Sequence, residues 1–187
     1  MEATFDNKAN VLNAKVHATH DNSVLYVVNT KQTMWGRTLT ELWDKNPLPG
    51  EVETNTRVGA IHWKQRKFEV HGTWKSIDDV RRRPAGLKNR VRQRSRFWKW
   101  ADDHEEYSIV HLEDGWKATC TGTNAVEATF TVPYRPQIFG KTKPVVLNLG
   151  KGALSRDEVF LILVLIYSET KRQEKMVRTP SSSPIQL

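Results

Sequence analysis

The length, composition and charge of the chain limit its class. Its 187 residues, of 21.6 kDa, fit one compact domain that buries a sizeable hydrophobic core. The net charge of +8 predicts acidic partners: an anionic membrane surface, an acidic protein or, as a weaker expectation, nucleic acid. Cys120 is the only cysteine, which excludes an intramolecular disulfide and zinc sites built from several thiolates.

The first thirty residues lack the charged and then apolar pattern of a secretory signal peptide. Asp6, Asn7, Lys8, Asn10 and Asn13 interrupt every short apolar run in this part of the chain. A reducing environment also fits the single cysteine. We therefore expect a cytoplasmic protein, with a peripheral position at a membrane or a nuclear location as alternatives.

Most of the chain is typical of short strands. Apolar and polar residues alternate, or β-branched and aromatic residues cluster, between turn residues such as those at 113–115 and 122–124. The pattern predicts a mainly β fold with strands at 23–30, 38–43, 58–63, 67–70, 96–100, 106–112, 116–121, 125–132 and 145–149.

A helical pattern follows near the C-terminus. Ser155 and Glu158 have the spacing of an N-terminal capping box, and Lys171 with Arg172 suits a helix C-terminus, which predicts a helix over about 156–173. Its nine uninterrupted apolar residues, 159–167, span only about 13 Å, against about 30 Å of membrane hydrocarbon. Since this segment is apolar all round, we expect a buried core helix; a buried strand is the alternative.

The last residues have a different composition. The run from Thr179 to Pro184 contains only Thr, Pro and Ser, which bury too little apolar surface to offset their ordering entropy. The sequence thus predicts one domain over 1–175 and a disordered tail over 176–187.

Many short strands followed by one apolar helix resemble the tubby C-terminal-like superfamily, which includes plant LURP-one-related proteins and phospholipid scramblases. The resemblance covers roughly residues 4–174 and implies a closed or nearly closed antiparallel β-barrel of about a dozen strands around the hydrophobic helix. Segments 22–30, 59–63 and 157–172 look closest to a mushroom-fungal domain family of unknown function. Superfamily activities range from phosphoinositide binding to proposed lipid movement, and none of its functional motifs matches this chain position by position.

The basic excess of the chain lies in one segment, from Arg81 to Lys99. This segment holds nine of the 29 Lys and Arg residues and no acid, so the rest of the chain has 20 bases against 21 acids. Such a run attracts phosphate groups, which arginine can bind with two hydrogen bonds. The predicted ligand-binding residues are Arg81, Arg82, Arg83, Lys88, Arg90, Arg92, Arg94, Arg96, Trp98, Lys99 and Trp100.

The arginines at 90, 92, 94 and 96 alternate, so a strand would place them on one face. Trp98 and Trp100 continue this face, where we expect them to stack on a ligand or lie at an interface. The alternatives are a nuclear-localisation signal and a solvated loop whose arginines deter strand-edge aggregation.

Other reactive side chains form no recognisable catalytic or metal motif. His17 and His20 are the only close histidine pair and lack carboxylate or cysteine partners at zinc spacing. The acidic run 102–106 lacks the spacing of a calcium loop and is interpreted as a solvated turn beside the arginines. Cys120 is interpreted as a small core residue. We therefore predict no metal, no cofactor and no catalytic residues.

Together these patterns predict a non-enzymatic module that binds anionic phospholipid, a phosphoinositide or another phosphate-bearing ligand through the basic segment. Two alternatives are left open. One is a scaffold that contacts protein or RNA, and the other is an enzyme whose residues meet only in the folded chain.

Overall fold

The computed structural model describes residues 1–45, 56–82, 96–133 and 143–178. Thirteen strands within these residues form one antiparallel sheet. They are β1 (Glu2–Phe5), β2 (Ala14–Ala18), β3 (Val24–Thr33), β4 (Gly36–Asp44), β5 (Thr56–His62), β6 (Lys67–Val70), β7 (Thr73–Ser76), β8 (Arg81–Arg82), β9 (Arg96–Lys99), β10 (Glu106–Leu112), β11 (Gly115–Cys120), β12 (Val126–Thr131) and β13 (Val145–Leu149). The helices are α1 (Ile77–Val80) and α2 (Glu158–Arg178), and a π-helical turn, Ala153–Asp157, leads into α2.

The sheet curls into a nearly closed barrel. Its strand order is β7-β6-β5-β4-β3-β2-β1-β13-β12-β11-β10-β9-β8, so the two edge strands, β7 and β8, are neighbours in sequence. The one-turn helix α1 spans the gap between them and buries Ile77 and Val80. Lys75 Nζ also donates to the carbonyl of Trp100 at 2.7 Å, from β7 to the end of β9. The predicted fold class is confirmed, although the hydrogen-bonded sheet itself does not close.

Helix α2 forms the centre of the core. Every residue from Val159 to Thr170 is buried, because inward side chains of the strands surround the helix. Phe160 lies against Phe68 and Trp100, with ring centres 6.3 and 5.4 Å away. Gly59 of β5 allows the closest approach, since a Cβ there would lie 2.8 Å from Val159 Cγ1. The apolar segment is therefore a core helix, as its all-round apolar pattern predicts.

Polar contacts fix the start of α2. Tyr107 donates to Asp157 Oδ2 at 2.7 Å, and His104 Nδ1 lies 2.6 Å from Asp157 Oδ1. Tyr26 donates to Glu158 Oε1 at 2.8 Å. Burial raises the pKa of Tyr26 and of Tyr107, so both hydroxyls keep their protons and act as donors.

The helix boundaries differ from the predicted ones. Ser155 is not an N-cap; its hydroxyl donates to the Gly152 carbonyl at 2.8 Å within a helical turn that has already begun. The buried contacts of Asp157 favour this earlier start. At the other end α2 continues to Arg178, so residues 176–178 are helical and the rest of the predicted tail, 179–187, lies outside the described residues.

The two ends of the barrel differ in character. Helix α2 starts at one end, beside the turn 121–125, and leaves the barrel at the other end near Lys171. This second end, which we call the exit end, carries the turns at residues 34–35, 63–66 and 113–114. Within the described parts of the chain, no helix combines the length and apolarity needed to cross a bilayer.

Candidate functional site

A cleft opens at the exit end of the barrel, between α2 and the neighbouring strands. It encloses about 470 Å³. We call it the basic cleft because six cationic side chains of the described chain line it: Arg66, Arg81, Arg96, Lys171, Arg172 and Lys175. Among the described residues no Asp or Glu lines it. Its charge therefore suits an anion.

The strand pattern explains why these side chains converge. Arg66 is the last residue of the turn between β5 and β6, and Arg81 and Arg96 lie on β8 and β9, where the barrel is nearly closed. Lys171, Arg172 and Lys175 lie on the first turns of α2 that leave the barrel, so they are not covered by the core. The cleft exists only because closure places both edges of the sheet beside the helix.

Carboxylates behind the lining hold several cations in place. Asp78 Oδ1 accepts from Arg66 Nη2 at 2.8 Å and from Arg81 Nη2 at 2.9 Å. Lys171 Nζ contacts Glu174 Oε2 at 2.8 Å. Exposed ion pairs of this kind contribute little stability, typically about 0–1 kcal/mol. Their main effect here is to orient the guanidinium and ammonium groups.

Glu169 is the most buried of these carboxylates. Its side chain is fully enclosed and accepts from Arg172 Nε and Nη2 at 2.8 and 2.7 Å, from Trp116 Nε1 at 2.9 Å and from Gln173 Nε2 at 2.8 Å. Burial acts to raise the pKa of Glu169, but the hydrogen bonds from Arg172 and Trp116 outweigh it and hold the pKa below its usual range. An ionised Glu169 thus fixes Arg172 at the cleft.

Aromatic side chains form the floor and wall of the cleft. Trp98, Trp116 and Tyr167 line it, and Arg81 Cζ lies 5.8 Å from the centre of the Trp98 ring. Within the described residues, Trp98 Nε1 is the one buried side-chain polar atom without a hydrogen-bond partner. An unpaired buried donor costs about 1–3 kcal/mol, which a ligand oxygen that reached it would recover.

The structure brings together three of the predicted binding residues and separates others. Arg81, Arg96 and Trp98 line the basic cleft. Consecutive residues of a strand point to opposite faces, so Arg82 lies on the outer wall, where it makes three hydrogen bonds to Glu106. Lys99 is partly exposed and follows Trp98 in β9, so it lies on the outer face as well. Arg83, Lys88, Arg90, Arg92 and Arg94 lie outside the described residues.

Both tryptophans of the predicted site are buried inside the barrel. Trp98 shares a face with Arg96, but this face is the interior, and Trp98 is only 1% exposed. Trp100 is also buried and lies against Phe160, away from the cleft. Alternation predicts that these residues share one face of the strand. It does not predict whether that face points toward α2 or toward solvent.

Sequence patterns missed most of the residues that line the cleft. Arg66 lies in the short basic stretch 64–67, and Lys171, Arg172 and Lys175 lie in the stretch 171–178, but neither contains as many bases as the segment 81–99. Tyr167 belongs to the apolar run 159–167. In the sequence, the pair Lys171-Arg172 indicates only a helix C-terminus. One sequence feature could have predicted their position. Cations that directly follow a buried helix lie where the helix leaves the surrounding sheet.

Other clusters of polar side chains in the described residues are weaker candidates for a binding site. In the described residues, no three His, Cys, Asp or Glu side chains are placed to hold a metal ion. The acidic run contributes to ion pairs, with Arg82 on Glu106 and Arg156 on Asp103. Cys120 is buried, and its thiol donates to Glu105 Oε2 at 3.4 Å. A surface depression of about 660 Å³ near Lys8 and Lys15 also contains Asp6, so its charge is mixed.

The chain was compared with protein-family models, with curated proteins and with solved structures. Protein-family models, curated proteins and solved structures give no match to this chain, so the resemblance to the tubby C-terminal-like superfamily stays a prediction.

Proposed function

We propose that this chain is a non-enzymatic binding module that takes an anionic, phosphate-bearing ligand into the basic cleft. The observation that supports this proposal is the convergence of six cationic side chains on a cleft whose described lining contains no carboxylate. A phosphate group carries several acceptor oxygens, and guanidinium groups bind such oxygens with paired, charge-assisted hydrogen bonds. The headgroup of a lipid and a soluble phosphate ester share this chemistry.

In this proposal, different cleft residues contact different parts of the ligand. Arg66 from the turn before β6, Arg81 from β8 and Lys171 from α2 offer donors to phosphate oxygens, while Asp78 and Glu169 keep the arginines oriented. Trp116, which is partly exposed, offers a flat apolar surface to the carbon skeleton of the ligand beside the largely buried Tyr167. A ring that bears several phosphates matches this combination of charge and aromatic surface.

Replacing Lys171 by glutamate tests the cleft directly. We expect the variant to bind inositol trisphosphate, a soluble probe, at least about tenfold more weakly than the wild type, because one charge-assisted contact becomes a repulsion. Isothermal titration calorimetry at physiological ionic strength measures the affinity. Raising the salt concentration should weaken binding by the wild type.

Lys151→Glu is the matched control. Lys151 is exposed at the opposite end of the barrel, and its replacement makes the same change in net charge. We expect this variant to bind like the wild type, and both variants to keep the wild-type unfolding midpoint. Equal losses in the two variants would contradict a localised site. Binding of single-stranded RNA as tightly as inositol trisphosphate would favour the RNA-scaffold alternative.

A further inference from the structure

The turn between β3 and β4 presents two large apolar side chains to solvent at the exit end. Met34 is 90% exposed and Trp35 is 82% exposed. The turn is tight, since Thr33 pairs with Gly36 and Thr33 Oγ1 accepts from the amide of Trp35 at 3.3 Å. Two-residue hairpin turns favour Asn, Asp and Gly, so the fold itself does not require Met and Trp here.

Further exposed apolar side chains gather at this end. Leu112 ends β10 there, and Met176 and Val177 lie on the part of α2 outside the barrel. Of the large apolar side chains exposed in the described residues, two lie elsewhere: Trp74 stacks on His62 on the outer wall, and Val126 begins β12 at the opposite end. A concentration of exposed apolar groups on one side marks an interaction surface.

Basic side chains surround the exposed turn. Trp35 shares a groove with Arg37, Lys64 and Lys171, and Lys171 also lines the basic cleft. Glu174 joins the hairpin to the helix, because it contacts Arg37 Nη1 at 2.6 Å and Lys171 Nζ at 2.8 Å. The exposed turn is thus held beside the cleft and not on a separate surface. Exposed acids are also present at this end: Glu113 and Asp114 lie in the turn between β10 and β11, and Asp78 lies beside Arg66.

We propose that the exit end docks on an anionic lipid bilayer, with Met34 and Trp35 inserted at the level of the headgroups. The inference rests on the proposed function, since the basic cleft supplies the attraction, and it names lipid as the source of the phosphate. Tryptophan prefers the membrane interface, and neighbouring lysines and arginines are attracted to anionic lipids. A protruding turn enters a fluid bilayer readily, whereas on a protein it needs a matching pocket.

A fluorescent label tests the insertion. Met34→Cys introduces an exposed thiol, while Cys120 is buried, so an environment-sensitive dye reacts at position 34. Thr123→Cys, in the exposed turn at the opposite end, provides the control. With vesicles of phosphatidylcholine, phosphatidylserine and phosphatidylinositol bisphosphate, the emission of the dye at position 34 should shift to the blue. The dye at position 123 should not respond, and pure phosphatidylcholine vesicles should affect neither.

A double variant separates this inference from the proposed function. Met34→Ser with Trp35→Ser should weaken vesicle binding by roughly tenfold or more and leave affinity for inositol trisphosphate unchanged. Lys171→Glu should weaken both. Unchanged vesicle affinity in the double variant, or equal dye responses at positions 34 and 123, would overturn the docking inference alone. Insertion at position 34 without inositol trisphosphate binding would instead overturn the proposed function.

Discussion

Replacing Phe160 by alanine should lower the free energy of unfolding by about 3 to 5 kcal/mol. Phe160 is 1% exposed and lies on α2 between Phe68 and Trp100. The substitution removes apolar surface from the middle of the barrel and leaves a cavity that the surrounding strands cannot fill, since they are held by their hydrogen-bonded ladder. Urea denaturation followed by tryptophan fluorescence measures the change.

Val177→Ala is the control on the same helix, because Val177 is exposed beyond the barrel. We expect its effect to stay within about 0.5 kcal/mol. If Phe160→Ala cost less than about 1 kcal/mol, α2 would not be the centre of the core. Phe160→Leu should cost less than Phe160→Ala, since leucine fills more of the same volume.

Strand positions were predictable where period-two alternation was clear. Residues 67–70, 106–112 and 145–149 were predicted as strands with the bounds that β6, β10 and β13 have. β2 was missed although Ala14, Val16 and Ala18 alternate with Lys15 and His17, because alanine gives a weak hydrophobic signal. β1 and β7 were missed as well, because alanine gives β1 the same weak signal and Trp74 is the one apolar residue of β7; pairing with β13 and with β6 stabilises them.

Local sequence patterns did not predict the curvature of the sheet. Closure depends on α1 joining the two edge strands, and this helix is one turn long, capped by Ser76 through its hydrogen bond from the Asp78 amide. Prediction of the barrel therefore relied on the buried helix, which needs a surround on every side, and on the resemblance. The burial of α2 follows from physics alone, whereas the strand order that surrounds it does not.

The candidate site was predictable only in part, for a related reason. A run of bases such as 81–99 identifies local charge, but Arg66, Arg81, Arg96 and Lys171 become neighbours only after the sheet has curled. Alternation also assigns residues to a face without saying whether the face is concave. The sequence thus predicted the basic character of the cleft and three of its lining residues, and the structure shows that Arg81 lines it while Arg82 lies on the outer wall.

Glu169→Gln should lower the free energy of unfolding at neutral pH by roughly 2 to 3 kcal/mol. The glutamine keeps the shape of the side chain but loses the charge that balances Arg172, and it presents one acceptor oxygen where Glu169 presents two. Glu174→Gln is the control, because Glu174 is partly exposed and its ion pairs with Arg37 and Lys171 are screened by solvent. Its expected cost is at most about 1 kcal/mol.

The pH dependence of this difference shows whether the charge is responsible. The pKa of Glu169 in the folded protein is below its ordinary value of 4.5, so the stabilisation by the carboxylate is complete above that value. As the pH falls through the lower folded pKa, Glu169 takes up a proton and the advantage over the glutamine variant disappears. Groups that titrate equally in both proteins cancel in the comparison. A difference that stayed constant from neutral to acidic pH would assign the effect to packing, and Arg172 would then need another anchor at the cleft.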